Sequence, residues 1–355
     1  MMERFEMHYK DLYDQNTCFC SWGRTALYLA LMSIGVRGRE VLLPAFTCAT
    51  NVPTAICFAG GIPVFVDVEA DGLGMDIVDL ESKITDKTGA IISHSYYGFV
   101  PQNISQVQQT ASARNVVHIF DNSHAWGTNP QGDVTVYSFS KSFTTPAGGA
   151  VVFRSNKLFE QAKAFQFKNR KLFHETVTDS MACSYMKALA KDRSMTLTCG
   201  LQYSLCKRLI SKASRTLRLY PLPDFYSKDH CYALFDTRIT TWQQESVKSI
   251  LLTQDRLFQT RKEKAERIFE LLQPVSCVGT FPVYFCFVDD IPIMEEQLRP
   301  LGIKTRRVWP VFQAYMEAQM TENVRFLKEH LLLLDTDSLT MENMEKLRGL
   351  RHHAL

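Results

Sequence analysis

Five short apolar runs, separated by stretches of helical character, restrict what this chain can fold into. Val41-Leu42-Leu43-Pro44, Pro63-Val64-Phe65-Val66-Asp67, Ala90-Ile91-Ile92-Ser93, residues 116–121 and Val134-Thr135-Val136-Tyr137-Ser138 read as buried strands. Helical patterns at 50–59, 76–84 and 103–114 fall between several of them, and one at 26–32 precedes the first. Such alternation predicts an α/β fold, a mainly parallel sheet with helices on both faces. From about 155 to 235 the pattern turns helical and basic, without clear strands. Beyond it come a long helical region at 242–272, an apolar run at 283–288, a helix near 293–300, a run at 305–308 and two final helices. This predicts a large α/β domain over 1–240, carrying the 155–235 insertion, and a smaller α+β domain over 241–355.

Composition narrows the function class. The 355 residues, 46% of them hydrophobic, suffice for a substantial core and a smaller second domain. With 40 basic against 37 acidic residues, the charge balance speaks against nucleic acid as a partner. The ten cysteines are scattered without a Cys-x-x-Cys pair, so no metal is expected and reduced, buried thiols in the cytoplasm are. The N-terminus lacks an apolar signal core, and no apolar stretch reaches the roughly 18–20 residues of a membrane span.

The chemistry-bearing feature is Ser138-Phe139-Ser140-Lys141. Asp121 lies some twenty positions upstream at the end of an apolar strand, and Gly148-Gly149 opens the apolar run that follows. A lysine on a tight turn between an acid-tipped strand and a glycine pair is how pyridoxal phosphate enzymes present their Schiff-base amine. That cofactor needs a lysine for its aldehyde, a carboxylate to keep the pyridine nitrogen protonated, and amides or hydroxyls for its phosphate. Ligands of open α/β sheets sit beyond the strand carboxyl ends, where Asp121 falls. Gly23-Arg24-Thr25 precedes a good helix, whose N-terminal amides suit a phosphate.

The ordered segments resemble the DegT-type nucleotide-sugar aminotransferases, a family of fold-type I pyridoxal phosphate enzymes. The resemblance covers most of the chain outside 155–235. It runs through residues 23–31, 40–47 and 59–68, then His94-Ser95-Tyr96-Tyr97-Gly98, similar to the family's His-x-Tyr-Gly. Asp121-Asn122-Ser123-His124-Ala125-Trp126-Gly127 is similar to its Asp-x-Ala-Gln/His-Ala-x-Gly, and residues 302–306 and 331–342 to its C-terminal domain. The resemblance implies pyridoxal 5'-phosphate as cofactor, with a nucleotide-linked keto sugar and an amino donor, expected to be glutamate, as substrates. Lys141 is then the Schiff-base lysine and proton shuttle, and Asp121 the partner of the pyridinium. His124 lies near the cofactor ring or its 3-hydroxyl, and Ser138 with the amides of 23–25 holds phosphate. His94, Tyr97 and Arg306 are candidate substrate contacts. Arg238 falls where the family completes a neighbour's site, which implies a homodimer with shared active sites.

The chain departs from the family pattern at four places. The lysine turn is two residues shorter, which makes Ser140 an alternative phosphate ligand to Ser138. Cys48 replaces an aromatic ring expected against the cofactor face, Asp236 a phosphate-binding asparagine, and Ala147 an acid. These keep open a second function, a cofactor-poor homologue acting as a binding subunit or scaffold. Single residues also have plainer readings: His124 as a core histidine, His94 and Tyr97 as packing beside the sheet, Arg306 and Arg307 as solvated cations. Leu201, Leu205, Leu209, Ala213 and Leu217 recur among basic residues as an amphipathic helix. It packs on the protein itself, or meets a membrane surface, a partner or a nucleotide.

Overall fold

The computed structural model describes residues 15–48, 51–69, 73–126, 131–142, 148–168, 247, 259–261, 263–264, 266–267, 283–309, 311 and 315–347. The amphipathic 201–218 segment, Asp236, Arg238, Ala147 and the proposed 240/241 boundary lie outside them.

The first half builds a seven-stranded sheet from β1 (Thr17–Cys20), β2 (Glu40–Pro44), β3 (Ile62–Val66), β4 (Thr88–His94), β5 (Val117–Asp121), β6 (Val134–Ser138) and β7 (Gly149–Phe153), in the order β1-β7-β6-β5-β4-β2-β3. Strands β2 to β6 are parallel to one another, while β7 and β1 run antiparallel at one edge. The five expected runs are these parallel strands. β1 went unread because its Thr-Cys-Phe-Cys is too short to show a period.

Alternate side chains send the sheet's apolar mass both ways. Leu42, Val66 and Ile91 pack with Leu80, Val107 and Ala111, from α3 (Ile77–Lys83) and α4 (Ile104–Ala113). Leu43, Ala90, Ile92, Ile119 and Val136 face the opposite layer, which holds α1 (Gly23–Ile34) and α2 (Val52–Phe58). Helix α1 is rich in alanine and leucine and stops where Gly35, at φ 78°, donates its N–H to the Leu31 carbonyl. After β6 the chain makes one helical turn, α5 (Phe139–Ser142), and after β7 enters α6 (Asn156–Lys168).

The C-terminal part forms a three-stranded antiparallel sheet, β8 (Val283–Phe287), β10 (Leu331–Asp335) and β9 (Thr305–Arg307), with β10 in the middle. Its elements include α7 (Ile291–Leu298), α8 (Met316–Gln319), α9 (Glu322–His330) and α10 (Met341–Lys346). Strands β8 and β10 are apolar on both faces. Val283, Phe285, Leu331 and Leu333 join the core of the large sheet. Tyr284, Cys286, Leu332 and Leu334 pack instead with Ile291, Met294, Leu298 and Met344. A polar clasp adds to the junction: Thr321 Oγ1 and Asn323 Nδ2 donate to the two oxygens of Asp67, at 2.5 and 3.1 Å. No helix among the described residues is long and apolar enough to cross a membrane.

The two glycines ahead of β7 have a steric purpose. A Cβ on Gly149 would lie 2.6 Å from the Trp22 carbonyl carbon and 2.7 Å from the Gly23 nitrogen, both backbone atoms. Gly148 takes φ +107°, closed to ordinary side chains, and donates its N–H to the Ser21 carbonyl. Gly149→Ala should therefore lower stability by about 1–3 kcal/mol, the cost of overpacking a close-packed site. Urea denaturation checks this, and an unchanged midpoint would show that the backbone approach yields.

Candidate active site

Three parallel strands end side by side. His94 at the end of β4 is in register with Asp121 at the end of β5, and Asp121 with Val136 of β6, two residues short of Ser138. A cavity of about 110 Å³ opens beyond these ends, bordered by Gly23, Arg24, Cys48, His94, Asp121, His124, Ser138, Ser140 and Lys141 among others.

Its far wall is the start of α1. Helices α3, α7, α9 and α10 are capped by their own N-cap side chains, Asp76, Asp290, Thr321 and Thr340. Helix α1 begins after Trp22 with no side-chain cap, as α2, α4 and α8 also begin. The start of α1 thus brings the positive end of the helix to the cavity. A Cβ on Gly23 would meet Ser138 Cβ at 2.6 Å, so glycine is what lets the helix start reach the end of β6.

Asp121 is buried, and both of its oxygens are engaged. Oδ1 accepts from the Ser123 N–H at 3.1 Å and from Ser123 Oγ at 2.5 Å. His94 Nδ1 lies 3.4 Å from Oδ2, while His94 Nε2 pairs with Thr47 Oγ1 at 2.8 Å. Burial pushes the carboxyl up, but the hydrogen bond and charge of His94, the charge of Lys141 and the Ser123 hydroxyl together hold it well below the usual carboxylate range. It is a fixed anion facing the cavity.

Lys141, on the single turn α5, puts Nζ 2.8 Å from His124 Nε2. Burial, followed by the neighbouring lysine charge, pushes the His124 imidazole well below its ordinary value. The buried Tyr97 ring stacks on His124 with centroids 5.2 Å apart, and Trp309 lies 5.2 Å from both rings.

Of the residues expected from sequence, Lys141, Asp121, Gly23, Arg24, Cys48, His124, Ser138, Ser140 and His94 meet in this one cavity. Thr25 stays behind it, its hydroxyl 3.2 Å from that of Ser21. Tyr97 touches the site through His124 and is not itself at the wall. Arg306 points elsewhere, exposed and paired with Asp335 at 2.6 Å, and its neighbour Arg307 pairs with Glu295 at 2.7 Å. Arg238 lies outside the described residues. Sequence reasoning missed Asn51, Ser95, Ser123 and Trp309, which also line the cavity. Ser95 and Ser123 lay one and two positions past strand ends already singled out, a usable signal. Trp309 arrives from the C-terminal part, and no local pattern marks it.

The cavity has the donor set that pyridoxal phosphate requires: an amine, a buried carboxylate held ionised, and an uncapped helix start beside two serine hydroxyls. Asn51 Oδ1, buried and without a hydrogen-bond partner among the described residues, borders it too. Among those residues no cluster of His, Cys, Asp or Glu could hold a metal ion. Residues 1–189 match the family described as the DegT/DnrJ/EryC1/StrS aminotransferases. The chain belongs to this family.

Similar curated proteins include the GDP-perosamine synthase of Escherichia coli O157:H7, 33% identical over 169 residues, 44% of this chain and 46% of the relative. Another is the dTDP-4-amino-4,6-dideoxy-D-glucose transaminase of Escherichia coli, 33% identical over 137 residues and 36% of each chain. The matched stretches thus span less than half the length of these relatives. Among solved structures, a putative sugar aminotransferase from Streptococcus pneumoniae in its PLP form superposes with a TM-score of 0.66, over 95% of this chain and 87% of that one, at 18% identity. The fold of this family member is the fold-type I α/β architecture.

The Ser123 hydroxyl gives the site a measurable signature. The folded-state value of Asp121 lies below the unfolded one, so its contribution to stability is present above about pH 4 and disappears as pH falls. Ser123→Ala removes one donor, so it should lose about 1.5–3 kcal/mol at pH 7, the scale of a hydrogen bond to a charged group. Its stability should also fall less steeply on acidification. Urea unfolding at pH 7 and below pH 4 tests both, and parallel curves for the two proteins would remove Ser123 from the control of Asp121.

Proposed function

We propose that this chain is a pyridoxal phosphate-dependent aminotransferase that converts a keto group of a nucleotide-linked sugar into an amine, with glutamate as amino donor, in amino-sugar or surface-polysaccharide biosynthesis. The observation that carries the reading is the convergence of Lys141, Asp121 and the open start of α1 on one cavity. The names of the relatives, with GDP- and dTDP-linked sugars, support the substrate class.

In this reading Lys141 Nζ holds the cofactor's carbonyl carbon, and Asp121 keeps the ring nitrogen protonated. The N–H groups at the start of α1 hold the phosphate, together with Ser138 and Ser140. When bound, the group supplies a conjugated sink for the electron pair left when a C–H proton departs. Lys141 Nζ would be the base that takes up that proton and gives it back. Asp121 suits its part because Ser123 and His94 hold it as an anion in a buried setting, where its field is poorly screened. Cys48 offers the cofactor face a smaller, less polarisable surface than a ring would. Its thiol accepts from Asn51 Nδ2 at 3.0 Å.

Purified protein should show a near-visible absorbance that borohydride bleaches. Lys141→Ala should lose it while keeping its circular dichroism. Asp121→Asn should keep it yet lose turnover by about 10²–10³-fold, the scale of deleting one preorganised electrostatic group. A bleachable absorbance in Lys141→Ala would move the attachment elsewhere, and full turnover by Asp121→Asn would end that assignment.

The same reading makes the active form a symmetric homodimer with a largely apolar interface, in which Arg238 reaches the neighbouring site. Mixing inactive Lys141→Ala and Arg238→Ala subunits should then restore part of the activity, because one site of each heterodimer keeps both residues. Heterodimers that form but stay inactive would count against sharing.

A further inference from the structure

The turn that carries Lys141 depends on distant parts of the chain for its shape. Helix α5, Phe139–Ser142, is four residues long, too short to be stable by its own backbone bonds. The last carbonyls of any helix also lack partners within it. At the start of α5 the Phe139 N–H donates to the Gly148 carbonyl at 3.0 Å, and the Phe139 ring shares a buried apolar cluster with Val247. At its end the Arg261 guanidinium donates through Nη1 to the Ser142 carbonyl, 119 residues away in sequence.

Among the described residues Arg261 is the one lysine or arginine that is buried, and Ser142 is buried with it. A guanidinium taken out of water is costly unless its N–H groups find acceptors, so burial at this carbonyl ties Arg261 to the turn. The described residues of 259–267 are helical, and Lys264 and Arg267 follow Arg261 at the spacing that keeps side chains neighbours on a helix surface. Lys264 Nζ donates to the Thr336 carbonyl at 3.0 Å, and Arg267 pairs with Glu345. This one segment therefore joins the lysine turn to the C-terminal part, from which Trp309 walls the same cavity.

We propose that Arg261 is a positioning residue: its bond to the Ser142 carbonyl fixes the turn beside Lys141, and thereby the place of Lys141 Nζ in the cavity. This deepens the proposed function and rests on it only for the use made of the amine. Arg261 itself does not border the cavity. Its influence runs through the backbone, and a reacting group displaced by about 1 Å can lose about 10²-fold in rate.

The test uses the full chain and two variants. Arg261→Met keeps most of the side chain's length and removes its donors, while Arg261→Lys keeps a donor and the charge. Amide hydrogen exchange without added cofactor, read by peptide mass spectrometry, compares the peptide over 139–142 with peptides from β4 and β8. In Arg261→Met the 139–142 peptide should exchange about tenfold faster, the scale of losing one hydrogen bond to a charged group, while β4 and β8 keep their wild-type rates. Arg261→Lys should stay nearer to wild type than to Arg261→Met. Unchanged exchange at 139–142, a rise shared by all three peptides, or equal exchange in the two variants would overturn the proposal.

A second readout follows Lys141 itself. After pyridoxal phosphate and borohydride, the fraction of Lys141 carrying the reduced label, relative to exposed lysines of the same sample, should fall about tenfold or more in Arg261→Met. Labelling equal to wild type would also overturn the proposal. A wild-type protein that takes no label at Lys141 would refute the proposed function and leave hydrogen exchange to decide on Arg261. Should Arg261→Met fail to fold, native-state exchange of wild type in low urea decides. Opening of 139–142 together with 259–267 sustains the proposal, and a turn that opens while 259–267 stays protected overturns it.

Discussion

Everything at the cavity depends on one backbone approach, the peptide between Trp22 and Gly23 lying against Gly149. Glycine on both sides removes the Cβ atoms that would hold helix and sheet apart. The start of α1 therefore reaches the carboxyl ends of β5 and β6, where Asp121 and Ser138 stand. A sheet with side chains at these positions would still bury Leu43, Ile92 and Val136, but its helix would start farther from the strand ends. The antiparallel edge of β7 and β1 serves the same end: β7 pairs with β6 and β1, and so carries Gly149 from Ser138 to Cys20.

Around that approach the polar groups are arranged by donor count. Asp121 can only accept and is given donors from Ser123 and His94. His124 meets an obligate donor on one side and an adaptable amine on the other. Burial makes both arrangements consequential, because an unmatched polar atom there has no water to turn to. The buried serines and histidines at the ends of β4 and β5 form a hydrogen-bonded layer over an apolar sheet: Ser95 accepts from the His124 N–H at 3.3 Å, and its own N–H donates to the Asp121 carbonyl at 3.1 Å.

The small C-terminal sheet takes part because its strands β8 and β10 are apolar on both faces. One face packs into the core of the large sheet and the other covers its own helices. That brings Trp309 against Tyr97 and His124 and makes it a wall of the cavity. An aromatic ring expected at position 48 is thus absent from that strand end, while a different ring enters from a distant part of the chain.

What sequence alone determined is local in origin. The apolar runs specify β2 to β6 because strand burial is written into consecutive side chains. The carboxylate at the end of one strand and the lysine after the next follow from ordinary strand length. The glycine pair stood out because glycine is costly unless backbone must approach backbone. Three-dimensional packing decided the rest. Whether Arg306 faces a ligand or Asp335, and which ring covers His124, depend on segments tens to hundreds of residues apart. The Nδ1 of His124 meets a backbone N–H from a turn 27 residues before it. Such contacts leave no periodicity in the chain, since their energy lies in pairings that exist only once the sheets have met.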